Sequence, residues 1–155
     1  MFDFLWYGVG RLKVKHSEAM KVQEMAIEKL VTLRLNPGDD ILLSLRDAVD
    51  RAKIQNGLIL NGLGSVSAYH WHVVSDDSLP PAECYIRKPN PCDILGFSGA
   101  IIEGRVHAHI SLSNEQVALG GHLEEGTKVL TFAVIMIAIT PEADLRDYDR
   151  IGPLA

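Results

Sequence analysis

Basic residues are too scarce to give the chain as a whole an electrostatic hold on nucleic acid: 15 Lys and Arg stand against 20 Asp and Glu, a net charge of −5 over 155 residues. The counterion-release contribution that supplies most non-specific DNA affinity is missing from the average, so only a local patch is left as a route to DNA. Cysteine is nearly absent. Cys84 and Cys92 lie in a proline-rich stretch without metal-type pairing, and no secretory leader is recognisable, so a reducing, cytoplasmic setting is expected. No apolar run is long enough to span a bilayer, and no membrane association is expected. Internal repeats are missing. Gly62-Leu63-Gly64 is followed by neither a Lys-Ser/Thr pair nor a third glycine at dinucleotide spacing, so it reads as a bulge or tight corner rather than a phosphate loop.

What is present is a histidine-bearing segment from Gly104 to Leu123. From Arg105 to Leu112 the residues alternate, Val106, Ala108, Ile110 and Leu112 on one side and Arg105, His107, His109 and Ser111 on the other. That is period-two β patterning. Taking Ser113 to Gln116 as a turn and folding the arms together pairs Leu112 with Val117, Ile110 with Leu119, Ala108 with Gly121 and Val106 with Leu123. The same register sets His122 opposite His107, Gly120 opposite His109 and Arg105 opposite Glu124. Opposed Cβ atoms in a sheet sit about 4.5 to 5.5 Å apart. Three imidazoles at that separation can close on one ion with an open fourth position, a donor set suited to zinc or a related divalent cation. The alternative use of such a hairpin is solvent-facing filler or an oligomer contact without metal.

The remainder reads as one domain of ordinary globular composition, 47% hydrophobic and 23% charged. Residues 1–26 are expected to form an extension, an apolar cluster around Trp6 followed by the basic run Arg11-Leu12-Lys13-Val14-Lys15-His16. Val31–Leu35 alternates as a strand, and Asn36-Pro37-Gly38 turns into a helix capped by Asp39 or Asp40. Ile41, Leu45, Val49 and Ala52 give that helix its apolar stripe, and Asn56-Gly57 ends it. A buried strand then runs into the Gly62-Gly64 corner, and a further strand over Val66–Val74 places His70 and His72 on one face with Val66, Ala68 and Val74. On that face the two histidines read as a packed or half-exposed pair. Ser75–Pro91 reads as a long loop with a short strand at Cys84–Arg87, where Arg87 and Lys88 are candidate anion contacts. Asp93 opens another strand, and the continuously apolar, β-branched Val129–Ile139 reads as a central strand covered on both faces. Residues 143–155 read as a polar, frayed tail. The sum is an α+β fold, a mostly antiparallel sheet of six or seven strands with one main helix.

The order of motifs resembles the PPC (plants and prokaryotes conserved) domain. Leu33-Arg-Leu-Asn-Pro-Gly-Asp-Asp, the helix, Leu60-Asn-Gly-Leu-Gly-Ser-Val, Asp93-Ile-Leu-Gly-Phe-Ser-Gly, His107-Ala-His109 and Gly120-Gly-His122-Leu follow one another in unbroken order. The resemblance covers roughly residues 29–140, within an expected domain of 27–142. It implies a trimer around a β-sheet core. It carries the family's histidines onto His107, His109 and His122, for which a metal is implied. Plant members bind A·T-rich DNA through separate AT-hook segments, and stand-alone members carry the DNA-binding label chiefly by that kinship. No Arg-Gly-Arg-Pro hook occurs in this chain, and Asp93 stands where the family often has Glu.

Three readings follow. One is a homotrimer with a three-histidine zinc-type site that takes a small anionic ligand, with Asp93 or Glu103 as candidate base. Another is a DNA- or nucleoid-associated module using Arg11, Lys13 and Lys15. The last is a metal-free trimeric scaffold that contacts other proteins.

Overall fold

In the computed structural model, residues 21–152 are described. Helix α1, Ile41–Ala52, begins where the sequence sets its cap. Asp40 holds an extended backbone conformation and its carboxylate accepts from the Leu43 amide at 3.1 Å, satisfying one of the free donors of the first turn. Lys53 closes the other end in the left-handed region, with its N–H returned to the carbonyls of Val49 and Asp50. Asp40 does more than cap. Its second oxygen accepts from the Gly126 amide at 2.7 Å and faces Lys128 Nζ at 3.4 Å, so one buried carboxylate ties the helix start to the turn before the last strand.

Seven strands follow the alternation of the sequence: β1 Lys29–Leu35, β2 Gly57–Val74, β3 Glu83–Lys88, β4 Cys92–Ile102, β5 Arg105–Ser113, β6 Ala118–Leu123 and β7 Lys128–Ile139. They form one sheet in the order β1-β7-β2-β4-β5-β6, with β3 on a further stretch of β2. Every pairing is antiparallel. β6 also pairs with β2 through Trp71↔Leu123 and His72↔His122. Strands β2, β4, β5 and β6 therefore close into a ring. The core lies between the sheet and α1, where Ile41, Leu45 and Val49 meet Ala133, Ile135, Ile137, Ile110 and Leu112, all 2% exposed or less.

The glycine corner is where the sequence puts it. Register shifts fall between Gly64 and Val66 and again between Val66 and Ala68. Gly64 has φ of +135° and a Cβ there would run into the Phe132 carbonyl, so only glycine fits. These shifts have an effect the sequence reading did not include. Val66 is fully buried, and the next buried residues are Tyr69 and Trp71. An odd step from Val66 to Tyr69 means the extra bulge residue has inverted the alternation. His70 and His72 therefore leave the Val66 face and turn away from the core.

Two further expectations change. β7 is central, but its first half is not covered on both faces: Leu130 and Phe132 are 41% and 38% exposed. Residues 142–152 do not fray. Ala143 and Leu145 are buried against Ile102, with Leu58 and Ala100 packed around them. The expected extension 1–26 lies largely outside the described residues. Among the described residues, no helix is long and apolar enough to cross a membrane.

Candidate metal centre

Strands β5 and β6 form the expected hairpin, with Val106, Ala108, Ile110 and Leu112 all buried. Its register differs. Leu112 pairs with Leu119, Ile110 with Gly121 and His109 with His122. The loop runs one residue later than expected because Asn114 starts it. The Asn114 side-chain oxygen accepts from the amides of Gln116 and Val117 at 2.9 and 3.1 Å, and the Asn114 backbone N–H donates to the Val117 carbonyl at 3.0 Å. Such an Asx-type turn takes Val117 out of the strand. Moving the loop by one residue moves each partner by two, which preserves every side chain's face. The histidines still converge, but His122 lies opposite His109 rather than His107, and Arg105 meets Asp149 rather than Glu124.

Because β6 also pairs with β2, His122 has His109 on one side and His72 on the other. The centroid of the His122 ring is 4.4 Å from that of His72, 4.8 Å from His107 and 5.3 Å from His109. His107 Nε2 and His109 Nε2 stand 3.3 Å apart. Four imidazoles thus share one patch, at the floor of a cleft of about 350 Å³ whose walls include Val73, Pro81 and Ile151.

Three carboxylates border the patch: Glu83, whose Oε1 lies 3.6 Å from His72 Nε2, Asp149 and Glu124. Asp149 Oδ2 lies 3.0 Å from His107 Nδ1 and also receives Arg105 Nη1 at 2.7 Å, while its other oxygen receives Arg105 Nη2 at 3.2 Å. A carboxylate only accepts, so the His107 proton is on Nδ1 and the Nε2 lone pair faces His109. Glu124 Oε1 accepts from His72 Nδ1 at 2.7 Å and lies 3.4 Å from His122 Nδ1. That second contact is off the hydrogen-bond direction, leaving His122 Nδ1 buried and without a bonded partner. His70 is separate, its Nδ1 donating to the Glu125 carbonyl at 2.7 Å.

Electrostatics keep the inner rings neutral. Burial pushes the His109 pKa below its usual value, and the charges of His107 and His72 push the same way. Burial also lowers that of His122, followed by His72, His107 and His109, against an opposing pull from Glu124. The Arg105 guanidinium, assisted by His107, holds the Asp149 carboxyl down to about 2. Neutral imidazoles beside an ionised Asp149 have the protonation a metal site requires.

The geometry also tests whether an ion fits. Nitrogens bound tetrahedrally to zinc at about 2.0 to 2.1 Å stand about 3.3 to 3.4 Å from each other, and His107 Nε2 and His109 Nε2 have that separation. A second group of ligand atoms, from His72, His122 and Glu124, lies within 4.8 Å of one another. Here the His72 and His122 rings are stacked, with 25° between their planes. An ion in the plane of one ring would lie well out of the plane of the other. That stack suits two imidazoles sharing one carboxylate better than two sharing one ion.

The other expected site residues lie apart. Asp93 pairs with Ser65 and Ser113, four residues along β5 from His109, or about 13 Å at the usual strand rise. Glu103 sits in the β4–β5 turn with φ of +51°. Neither bonds to an imidazole. Arg87 lies over Gly126, where its guanidinium fills the space a Cβ would need. The basic residues proposed for DNA contact, Arg11, Lys13 and Lys15, lie outside the described residues. His72, Glu124 and Asp149 were not foreseen. The only signal for His72 was its own His-x-His spacing, and Asp149 stood in the segment read as frayed.

Known proteins bear on this arrangement. A metal-containing protein from Archaeoglobus fulgidus superposes with a TM-score of 0.68 at 23% identity, covering 80% of this chain and 89% of that one. A plant- and prokaryote-conserved protein from Pyrococcus horikoshii gives a TM-score of 0.65 at 21% identity, covering 79% and 87%. At these identities the likeness is one of fold. The bifunctional protein GlmU of Synechococcus sp. (strain JA-2-3B'a(2-13)) is 28% identical over 137 residues, 85% of this chain and 20% of that protein. The chain therefore spans about a fifth of that relative's length. The family model for the Plants and Prokaryotes Conserved (PCC) domain matches residues 22–141, and the chain belongs to that family.

Proposed function

We propose that this chain is a metal-binding PCC domain in which His107, His109 and His122 hold one divalent ion, zinc by the character of the donors. The observation that carries the reading is the His107–His109 Nε2 separation of 3.3 Å, with the His107 proton committed to Asp149 on the far side of the ring. The unpartnered, buried Nδ1 of His122 supports it, because a buried nitrogen without a partner is costly unless the ring is oriented for another purpose. Glu124 is then the carboxylate against which His122 and His72 orient. A zinc ion with an open position supplies Lewis acidity or an activated water. In this protein that position would face the cleft beside Val73, Pro81 and Ile151, where a small anionic ligand fits. Asp93, about 13 Å along β5 from His109, is too far placed to serve it as a base.

Metal content decides the matter. Protein purified without an affinity tag is expected to carry about one divalent ion per chain, by elemental mass spectrometry, and to lose it in His107→Ala and His122→Ala. Wild-type protein that is metal-free and takes up none on reconstitution overturns the reading.

We also propose a homotrimer. Leu63 pairs with Val134, so it shares with Leu130 and Phe132 the sheet face opposite Ala133 and Ile135, and all three are exposed in the single chain. An open apolar face of this kind calls for a partner, and a second copy is the partner the family resemblance implies. Light scattering on the eluting protein is expected to give three times the chain mass. A monomer at micromolar concentration refutes it.

A further inference from the structure

We infer that the segment after the family-matched residues is a working part of the metal centre, with Asp149 as the residue through which it positions His107. The inference rests on the three-histidine reading and adds a device to it. The family match ends at residue 141, and the chain continues across the face of the site. Ala143 and Leu145 anchor the segment in a small apolar pocket against Ile102. The backbone then tightens through Tyr148 N donating to the Leu145 carbonyl and Arg150 N to the Asp147 carbonyl, with Asp147 in the left-handed region at φ of +67°. That turn presents three side chains, Tyr148, Asp149 and Ile151, to the histidines. Tyr148 lines the space beside His107 and His109, Asp149 reaches the His107 ring, and Ile151 forms part of the cleft wall above His72, His109 and His122.

The side chain of Asp149 is only 17% exposed, and it bridges two groups on one strand, the Arg105 guanidinium and the His107 ring two residues on. Arg105 fixes the carboxylate in place, and the carboxylate fixes the His107 tautomer and the aim of its Nε2. Metal ligands are commonly held in this way, and removal of the supporting carboxylate typically costs about 10- to 100-fold in affinity. Linkage then works in both directions: if the docked segment favours the ion by a given factor, the ion stabilises docking by the same factor. Metal occupancy and the order of residues 143–152 are thus coupled, and the segment serves as a clasp that the ion tightens.

The experiment pairs zinc affinity with amide exchange on full-length protein. Zinc titration against a chromophoric chelator is expected to show an affinity about 10- to 100-fold weaker for Asp149→Ala. Asp149→Asn, whose amide oxygen still accepts from His107 Nδ1, is expected to recover part of the loss. Hydrogen exchange in residues 143–152 of the wild type is expected to slow on zinc addition by the factor seen in affinity, and that slowing should vanish in Asp149→Ala. Thermal melts keep unfolding separate from site effects. Wild-type zinc affinity in a folded Asp149→Ala, or exchange in the segment indifferent to zinc, overturns this inference and leaves the three-histidine site standing. A wild type that binds no zinc removes the site itself.

Discussion

The doublet Gly120-Gly121 permits the strand closure on which the histidine patch depends, and Gly121→Ala tests that directly. A Cβ at Gly121 would lie 2.5 Å from the His72 carbonyl oxygen, 2.6 Å from Trp71 Cε3 and 3.0 Å from Val73 Cγ1. The first is backbone and the second belongs to a buried ring, so neither yields by rotation. Overpacking of this kind costs about 1 to 3 kcal/mol, and the rigidity of these neighbours sets the upper part of that range. Gly121 does not adopt positive φ, so no backbone strain is added, and the reduced freedom of the unfolded chain returns about 0.4 to 1 kcal/mol. The net is a destabilisation of about 2 kcal/mol, or about 4 to 8 °C in Tm for a domain of this size. Gly96→Ala is the control, because the nearest atom to its Cβ would be Ser111 Cβ at 3.9 Å, an ordinary contact. Differential scanning fluorimetry reads the melts, and zinc titration reads whether His122 has been pushed away from its neighbours. If Gly121→Ala melts within about 2 °C of wild type and binds zinc equally well, the close approach of β6 to β2 is not what keeps this position small.

Glu124→Gln is expected to weaken zinc binding by about 10-fold, since an amide is a poorer acceptor for His72 Nδ1 and takes away the charge beside His122, and unchanged affinity would remove Glu124 from the site. Acid should release the ion late: with the His109 and His122 pKa values lowered by burial, protons compete only below the usual value of about 6.5, and half-release above pH 7 would contradict this. In the metal-free protein the sign is the same. The unfolded chain protonates these rings first, so the melting temperature should hold above about pH 6.5 and fall as the pH drops below it. Asp149, held at about 2, adds stability above about pH 3.9 that is lost as the pH falls towards 2. Asp40→Ala should cost about 2 to 3 kcal/mol in denaturant melts, because it removes the α1 cap and leaves the Gly126 amide unsatisfied; a loss below about 1 kcal/mol would show that water replaces it. Duplex DNA should not be retained at physiological salt by a chain of net charge −5 whose Arg46, Arg105 and Arg146 are each paired with a carboxylate. Binding with a steep salt slope would instead direct attention to Arg11, Lys13 and Lys15.

Much of the fold follows from local rules. The Ile41–Ala52 helix, its Asp40 cap, the glycine corner and the apolar face of the hairpin all depend on periods of 3.6 or 2 and on residues a few positions apart, and the chain states those openly. Two of the errors share one cause, the counting of single residues over distance. One residue in the Asn114 turn moved His122 from His107 to His109. A bulge around Val66 moved His72 to the other face, and so out of a packed pair and into the patch. Alternation cannot carry a reader through a bulge, because the bulge resets the phase without changing the composition. Asp149 was hidden for a different reason. A short polar segment held by two buried residues, Ala143 and Leu145, has too little pattern to distinguish docking from fraying.

The closure of β2, β4, β5 and β6 into a ring bears on the kinetics of ligand capture. A six-residue strand at an open margin would fray on a fast timescale and carry its histidine with it. β6 is flanked by a paired strand on both sides at His122, which lies opposite His109 and opposite His72, so the imidazoles are aligned before anything binds. Little ordering remains to be done on encounter. Metal uptake should therefore be fast and close to single-exponential, with affinity differences among variants expressed in the dissociation rate.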